Sequence, residues 1–114
     1  MTDTGWYECP KKSAYSMEYY GSSWELRYME ELENDDSVSK WTKNHGIRIP
    51  YVIDGKHVTY VPDFLVEKSD GEVQLVEMKA FNMINSQVTI QKRKFAKKWC
   101  ADRGMAYSLI TKYQ

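Results

Sequence analysis

The sequence predicts a single-domain α/β protein, of the α+β kind with a mixed sheet, whose elements run helix, three antiparallel strands, helix, strand. Three observations lead there. Two Asp-Gly pairs, Asp54–Gly55 and Asp70–Gly71, each lie between apolar-alternating runs, and Asp-Gly in that setting is a preferred centre for a tight hairpin. Two stretches, one opening near Ser22 and one following Ala80, place apolar residues at helical spacing among Glu, Lys, Arg and Gln. The short apolar run 106–111 follows the second of these, so strand, crossover helix and strand should be parallel and right-handed. A chain of 114 residues is one domain's length, able to bury roughly two thirds of its extended surface without staples.

Residues 1–20 show neither helical nor strand periodicity and carry Gly5 and Pro10 as breakers, so they read as an N-terminal arm ahead of a domain spanning 21–114. Trp6, Tyr7, Tyr15, Tyr19 and Tyr20 are too apolar for a free tail, and the arm is expected to dock on the domain or on a second subunit. Lys11 and Lys12 read either as phosphate contacts or as two solvated lysines.

The first helix opens at Ser22 or Ser23, either of which is a suitable N-cap, and ends at Asn34, Asp35 and Asp36. Trp24, Tyr28, Met29 and Leu32 form its buried stripe. Glu25 lies on or beside that stripe. Two readings stand for it: an acid in the first turn favoured by the helix dipole, or a carboxylate aimed at an active site. Residues 38–46 read as a connection to the strand GIRIPYVI, in which Pro50 argues for an edge or an irregularity. After the turn at Asp54–Gly55, HVTYVPDFLVEK reads as the next strand. The second helix buries Val88, Phe95, Ala96 and Trp99 and stops at Gly104. Lys92 falls within that stripe and either snorkels or faces the active site.

Composition excludes several classes. Apolar content of 42% with 28% charged residues is ordinary for a soluble globular domain, and no apolar run approaches a membrane span or a signal peptide. Cys9 and Cys100 are far apart in sequence and show no paired spacing, so neither a disulfide framework nor a zinc site is expected, and the default setting is a reducing cytoplasm. His45 and His57 have no metal-ligand spacing and read as surface or hairpin residues. The formal net charge is zero, so nucleic acid could be held only by local clusters of cations.

The stretch from Tyr60 to Lys79 carries chemistry. Glu77 and Lys79 alternate in register with Val73 and Leu75, which puts two charges on the core-facing side of a strand. The turn at Asp70–Gly71 folds the strand bearing Asp63 back beside it. Two carboxylates and an ammonium then meet. Such a carboxylate pair cannot stay fully ionised without a cation, and an oxygen-preferring divalent metal such as magnesium is the usual partner. A neighbouring lysine can hold the attacking water or stabilise charge growing on a phosphate oxygen. Metal-assisted phosphodiester hydrolysis is the chemistry implied; the alternative is a surface hairpin with a turn-capping Asp and a solvated Glu-Lys pair.

Pro62 and Asp63, followed by Glu77, Met78 and Lys79, match the motif of the PD-(D/E)XK nucleases. The chain also resembles that superfamily in its Ser22-Ser23-Trp24-Glu25 helix start, its Pro50-Tyr51 strand end and its Tyr60-Val61-Pro62-Asp63-Phe64 run. It is most similar to the small TnsA-type transposon-end nucleases and phage head-completion nucleases, and the Thr59–Leu65 run resembles that of phage Holliday-junction resolvases. The resemblance, from about residue 21 to about 111, implies a restriction-endonuclease-like αβββαβ core. It implies Asp63, Glu77 and Glu25 as catalytic acids and metal ligands, the Met78 carbonyl as a further oxygen, and Lys79 as the catalytic lysine. Magnesium, with manganese as substitute, is the implied cofactor and DNA the partner, with a homodimer needed for a double-strand cut. Gln91, Lys94 and Lys98, on a ridge with Gln87 beside the apolar stripe of the second helix, are candidate DNA contacts, with a solvated helix face as the alternative. Two functions compete with this one: a Holliday-junction resolvase acting as a homodimer, and a non-catalytic nucleic-acid-binding or phage-assembly protein on the same fold.

Overall fold

The structure is a computed structural model that describes residues 3–111. It orders eight strands and two helices: β1 (Gly5–Glu8), β2 (Met17–Tyr20), α1 (Ser23–Asn34), β3 (Val38–Thr42), β4 (Ile49–Ile53), β5 (Lys56–Tyr60), β6 (Phe64–Lys68), β7 (Val73–Met78), α2 (Gln87–Ala101) and β8 (Ala106–Ile110), with a 3-10 turn at Phe81–Met83. The central sheet has the order β3-β6-β7-β8, antiparallel except for the parallel β7–β8 pair. Read through α1, β3, β6, β7, α2 and β8, this is the predicted αβββαβ order with its mixed sheet and parallel crossover.

The two faces of the sheet are covered by different elements. Val76 and Leu75 are neighbours in β7, so the pleat sends them to opposite sides. Val76 joins Tyr28, Met29 and Leu32 of α1 with Trp41, Phe64 and Val66; Leu75 joins Ala96 and Cys100 of α2 with Ile49, Tyr51 and Tyr60. Ser22 caps α1, its Oγ accepting from the Glu25 amide at 3.2 Å. No helix among the described residues is long and apolar enough to cross a membrane.

Which segments supply the three antiparallel strands differs from the sequence reading. Residues 38–42, expected as a connection, form the edge strand β3, with Val38 and Trp41 in the core. The stretch expected as one strand from His57 to Lys68 is broken at Val61–Asp63, where Pro62 has no amide to give a ladder. Its first half pairs with β4 in a separate hairpin that packs on α2, and only its second half, β6, enters the sheet. At the tip of that hairpin Asp54 and Gly55 have φ of 50° and 73°, both left-handed, as the primed turns of tight hairpins require. In α2 the expected core residue Val88 is 41% exposed, and Thr89, one position on, is buried instead.

The N-terminal segment is also more ordered than its sequence pattern suggests. β1 and β2 pair antiparallel, with Trp6 and Tyr19 in edge-on contact at 5.3 Å. A Cβ at Gly5 would lie 2.5 Å from the Tyr20 hydroxyl, so a larger residue there would displace the Tyr20 ring. The loop between them is tied to α1. Glu33 accepts from the amides of Lys11 and Lys12 and from Trp41 Nε1, and Lys12 Nζ donates to the Leu32 and Asp35 carbonyls at the helix end. Burial alone would raise the Glu33 pKa, but those donors hold it below the usual range. Lys12 is thus a helix cap.

Candidate active site

The hairpin β6–β7 and the break before it build the site. Pro62 is buried where the chain turns from β5 into β6, and His45 Nε2 lies 2.8 Å from its carbonyl, so the loop after β3 clamps the residue preceding Asp63. The Met78 amide donates to Asp63 Oδ2 at 2.8 Å, which fixes the Asp63 side chain at the end of β7. Glu77, one residue earlier on β7, faces the α2 side with Leu75, and the charge of Lys79, just beyond the strand, acts on both Glu77 and Asp63. The Lys79 amide bonds to the Ile110 carbonyl of β8 at 3.0 Å, holding the backbone just beyond the strand.

Glu77 is an unusual core residue. It is 7% exposed, and its Oε1 is buried with no hydrogen-bond partner. Burial, aided by the Asp63 charge, pushes its pKa up to about 8 against the pull of Lys92, Lys79 and the Asp63 backbone amide. The Asp63 pKa is raised too, by burial first and then by the Glu25 charge, while the Met78 amide, Lys43 and Lys79 act against the rise. A buried carboxylate oxygen without a donor is costly, and two such acids that disfavour one another's ionisation suit a divalent, oxygen-preferring cation. Among the described residues, however, no three His, Cys, Asp or Glu side chains stand close enough to enclose a metal by themselves. Asp63 and Glu77 are the pair with the donor chemistry for one.

Glu25 sits at the start of α1, where its Oε1 accepts from the Gly21 amide at 2.8 Å and pairs with Lys43 Nζ. Glu25 thus secures the helix start, and its charge is felt at Asp63. Lys43, just past β3, was not singled out from sequence. No local pattern marks it, because the segment before it reads as a connection and the ion pair joins residues 18 apart. Lys92, for which two placements were open, lies with its ammonium 4.9 Å from the Tyr60 ring centre and 6.0 Å from that of Tyr51, and its charge acts on Glu77.

The ridge on α2 is not uniform. Gln91 donates to the Val52 carbonyl at 2.8 Å and so anchors the β4–β5 hairpin to the helix. Lys94 is exposed, and Lys98 is exposed and pairs with Asp102 at 3.3 Å.

Residues 35–112 match the family model described as TnsA-like endonuclease N terminal, a stretch that contains Asp63, Glu77, Met78, Lys79 and all of α2 and leaves out α1 with Glu25. No curated protein matches the chain.

Proposed function

Because the chain belongs to the TnsA-like endonuclease N-terminal family, a nuclease family, we propose that it is a metal-dependent DNA endonuclease that hydrolyses phosphodiester bonds. The observation that carries the metal is the buried, donorless Glu77 oxygen beside Asp63. Asp63 and Glu77, with the Met78 carbonyl, would hold magnesium, or manganese in its place. Bound there, the ion would lower the pKa of a water and offset charge on the phosphate.

The rest of the chemistry falls to the chain's own groups. Lys79, whose charge acts on both Glu77 and Asp63, holds the attacking water or a non-bridging phosphate oxygen through its ammonium. Lys92 restrains the Glu77 carboxylate from the α2 side. Glu25 is the third acid of the site, acting beside Asp63. Lys94 and Lys98 on α2 contact the DNA backbone, and Gln91 sets the hairpin that leads into Asp63. One such site cuts one strand, so a double-strand cut needs two copies of the chain. Incubating supercoiled plasmid with the protein tests this reading: nicked or linear product should form with magnesium and be absent with a chelator or with Asp63→Asn. Undiminished cleavage in the chelator would refute it.

A further inference from the structure

The position of Lys43 has a specificity that packing alone does not call for. Its backbone amide donates at 3.0 Å to Glu18, a carboxylate that is only 2% exposed and also accepts from Thr42 Oγ1 at 2.6 Å and from the Ser13 hydroxyl. The amide of the next residue, Asn44, bonds to Thr42 Oγ1 at 2.9 Å. A fully buried acid thus fixes the backbone on both sides of this one lysine. The side chain runs inward, 19% exposed, over the Phe64 ring next to Asp63, and ends on Glu25, itself 14% exposed.

The Glu25 oxygen that receives the ammonium also receives the Gly21 amide, so a metal ion would have to displace Lys43 to use it. Glu25 does not come together with Asp63 and Glu77 as a three-acid cage among the described residues. With Glu25 neutralised by Lys43, the carboxylates left to a metal are Asp63 and Glu77, whose two charges equal those of one divalent ion.

We propose that Lys43 is a built-in cation of this site: its ammonium stands on Glu25 where a second metal ion would bind, so that a single divalent ion, held by Asp63 and Glu77, completes the centre. This rests on the metal-dependent reading above. In such a centre Lys43 is a positioning residue for Glu25 and supplies fixed positive charge near the scissile phosphate, which a one-metal site otherwise lacks.

Manganese titration of the full chain, followed by calorimetry and by the loss of the free-ion spin-resonance signal, tests it without reference to cleavage. The wild type should bind one ion, and Asp63→Ala none. Lys43→Met, which keeps the stem on Phe64 and removes the charge, should bind two, and Lys43→Met with Glu25→Gln should return to one. Lys43→Gln, a second variant without the charge, should also bind two, and a melting curve in chelator shows that each chain is folded before its ions are counted. Two ions on the wild type, or one ion on a folded Lys43→Met or Lys43→Gln, would each overturn the role given to Lys43. No ion on the wild type would instead overturn the metal reading itself.

Discussion

The Met78 amide donates to Asp63 Oδ2 across 15 residues of sequence, and this 2.8 Å bond holds the Asp63 carboxylate against the strand that carries Glu77. It joins the residue before β6 to the last residue of β7, next to Glu77. The hairpin therefore cannot shift by one residue without losing both the bond and the inward placement of Glu77.

Asp63→Asn should keep an acceptor for the Met78 amide and remove the charge. Cleavage should fall by more than about 100-fold, since even outer partners of metal ligands cost about 10–100-fold when removed. Stability without metal should be unchanged or higher, because one of two acids that disfavour one another's ionisation is gone. Melting curves in chelator alongside plasmid cleavage check both halves.

The metal-free protein should lose stability as pH rises. The folded Glu77 pKa, about 8, lies above the ordinary 4.5, so between those values the folded chain binds more protons than the unfolded one. The slope of stability against pH is then negative, and the contribution is fully present below about 4.5 and lost as pH passes about 8. Asp63, also raised, adds in the same direction from a lower starting point. The total should be on the order of a few kcal/mol. Denaturant titrations at several pH values should show the fall for wild type and a flatter profile for Glu77→Gln.

Magnesium and manganese should support cleavage, whereas calcium should bind and fail to support it. Calcium accepts longer bonds and looser coordination, so Asp63 and Glu77 can hold it without aligning water and phosphate. Calcium should therefore raise the melting temperature at pH 8 and inhibit cleavage in competition with magnesium.

Glu18→Ala should destabilise the protein by roughly 2–4 kcal/mol, because it leaves the Ser13 and Thr42 hydroxyls and the Lys43 amide without their shared acceptor. Glu18→Gln should recover part of that loss. Chemical denaturation measures both.

Lys94→Glu with Lys98→Glu should weaken DNA binding and lower the slope of log affinity against log salt by about 0.9 for each duplex phosphate that is no longer neutralised. Lys94 should account for more of the effect, since Lys98 already pairs with Asp102. Filter binding across a salt series checks it; an unchanged slope would make the ridge a solvated face.

Elements whose signals are local follow from the amino-acid order without help from the rest of the fold. Ser22 caps α1 and Tyr28, Met29 and Leu32 recur at helical spacing; Asp70–Gly71 turns β6 into β7; the apolar run after Gly104 returns as a parallel strand. The candidate residues Asp63, Glu77 and Lys79 were legible for the same reason, because alternation within one strand and one tight turn suffice to bring them together. The choice of the third antiparallel strand was made only in three dimensions. Val38–Thr42 has little alternation of its own and is a strand because Trp41 and Val38 fill the core against α1 and β6 pairs alongside. The stretch 49–60 was the stronger strand by pattern, yet Pro62 breaks its continuity with β6 and leaves it as a hairpin on α2. The N-terminal hairpin, of two four-residue strands, owes its order to the remote partners Glu33, Trp41 and Thr42. The pairing of Lys43 with Glu25 and the burial of Glu18 are likewise contacts between residues far apart in sequence, and no periodicity within a window reports where a side chain from another window will arrive.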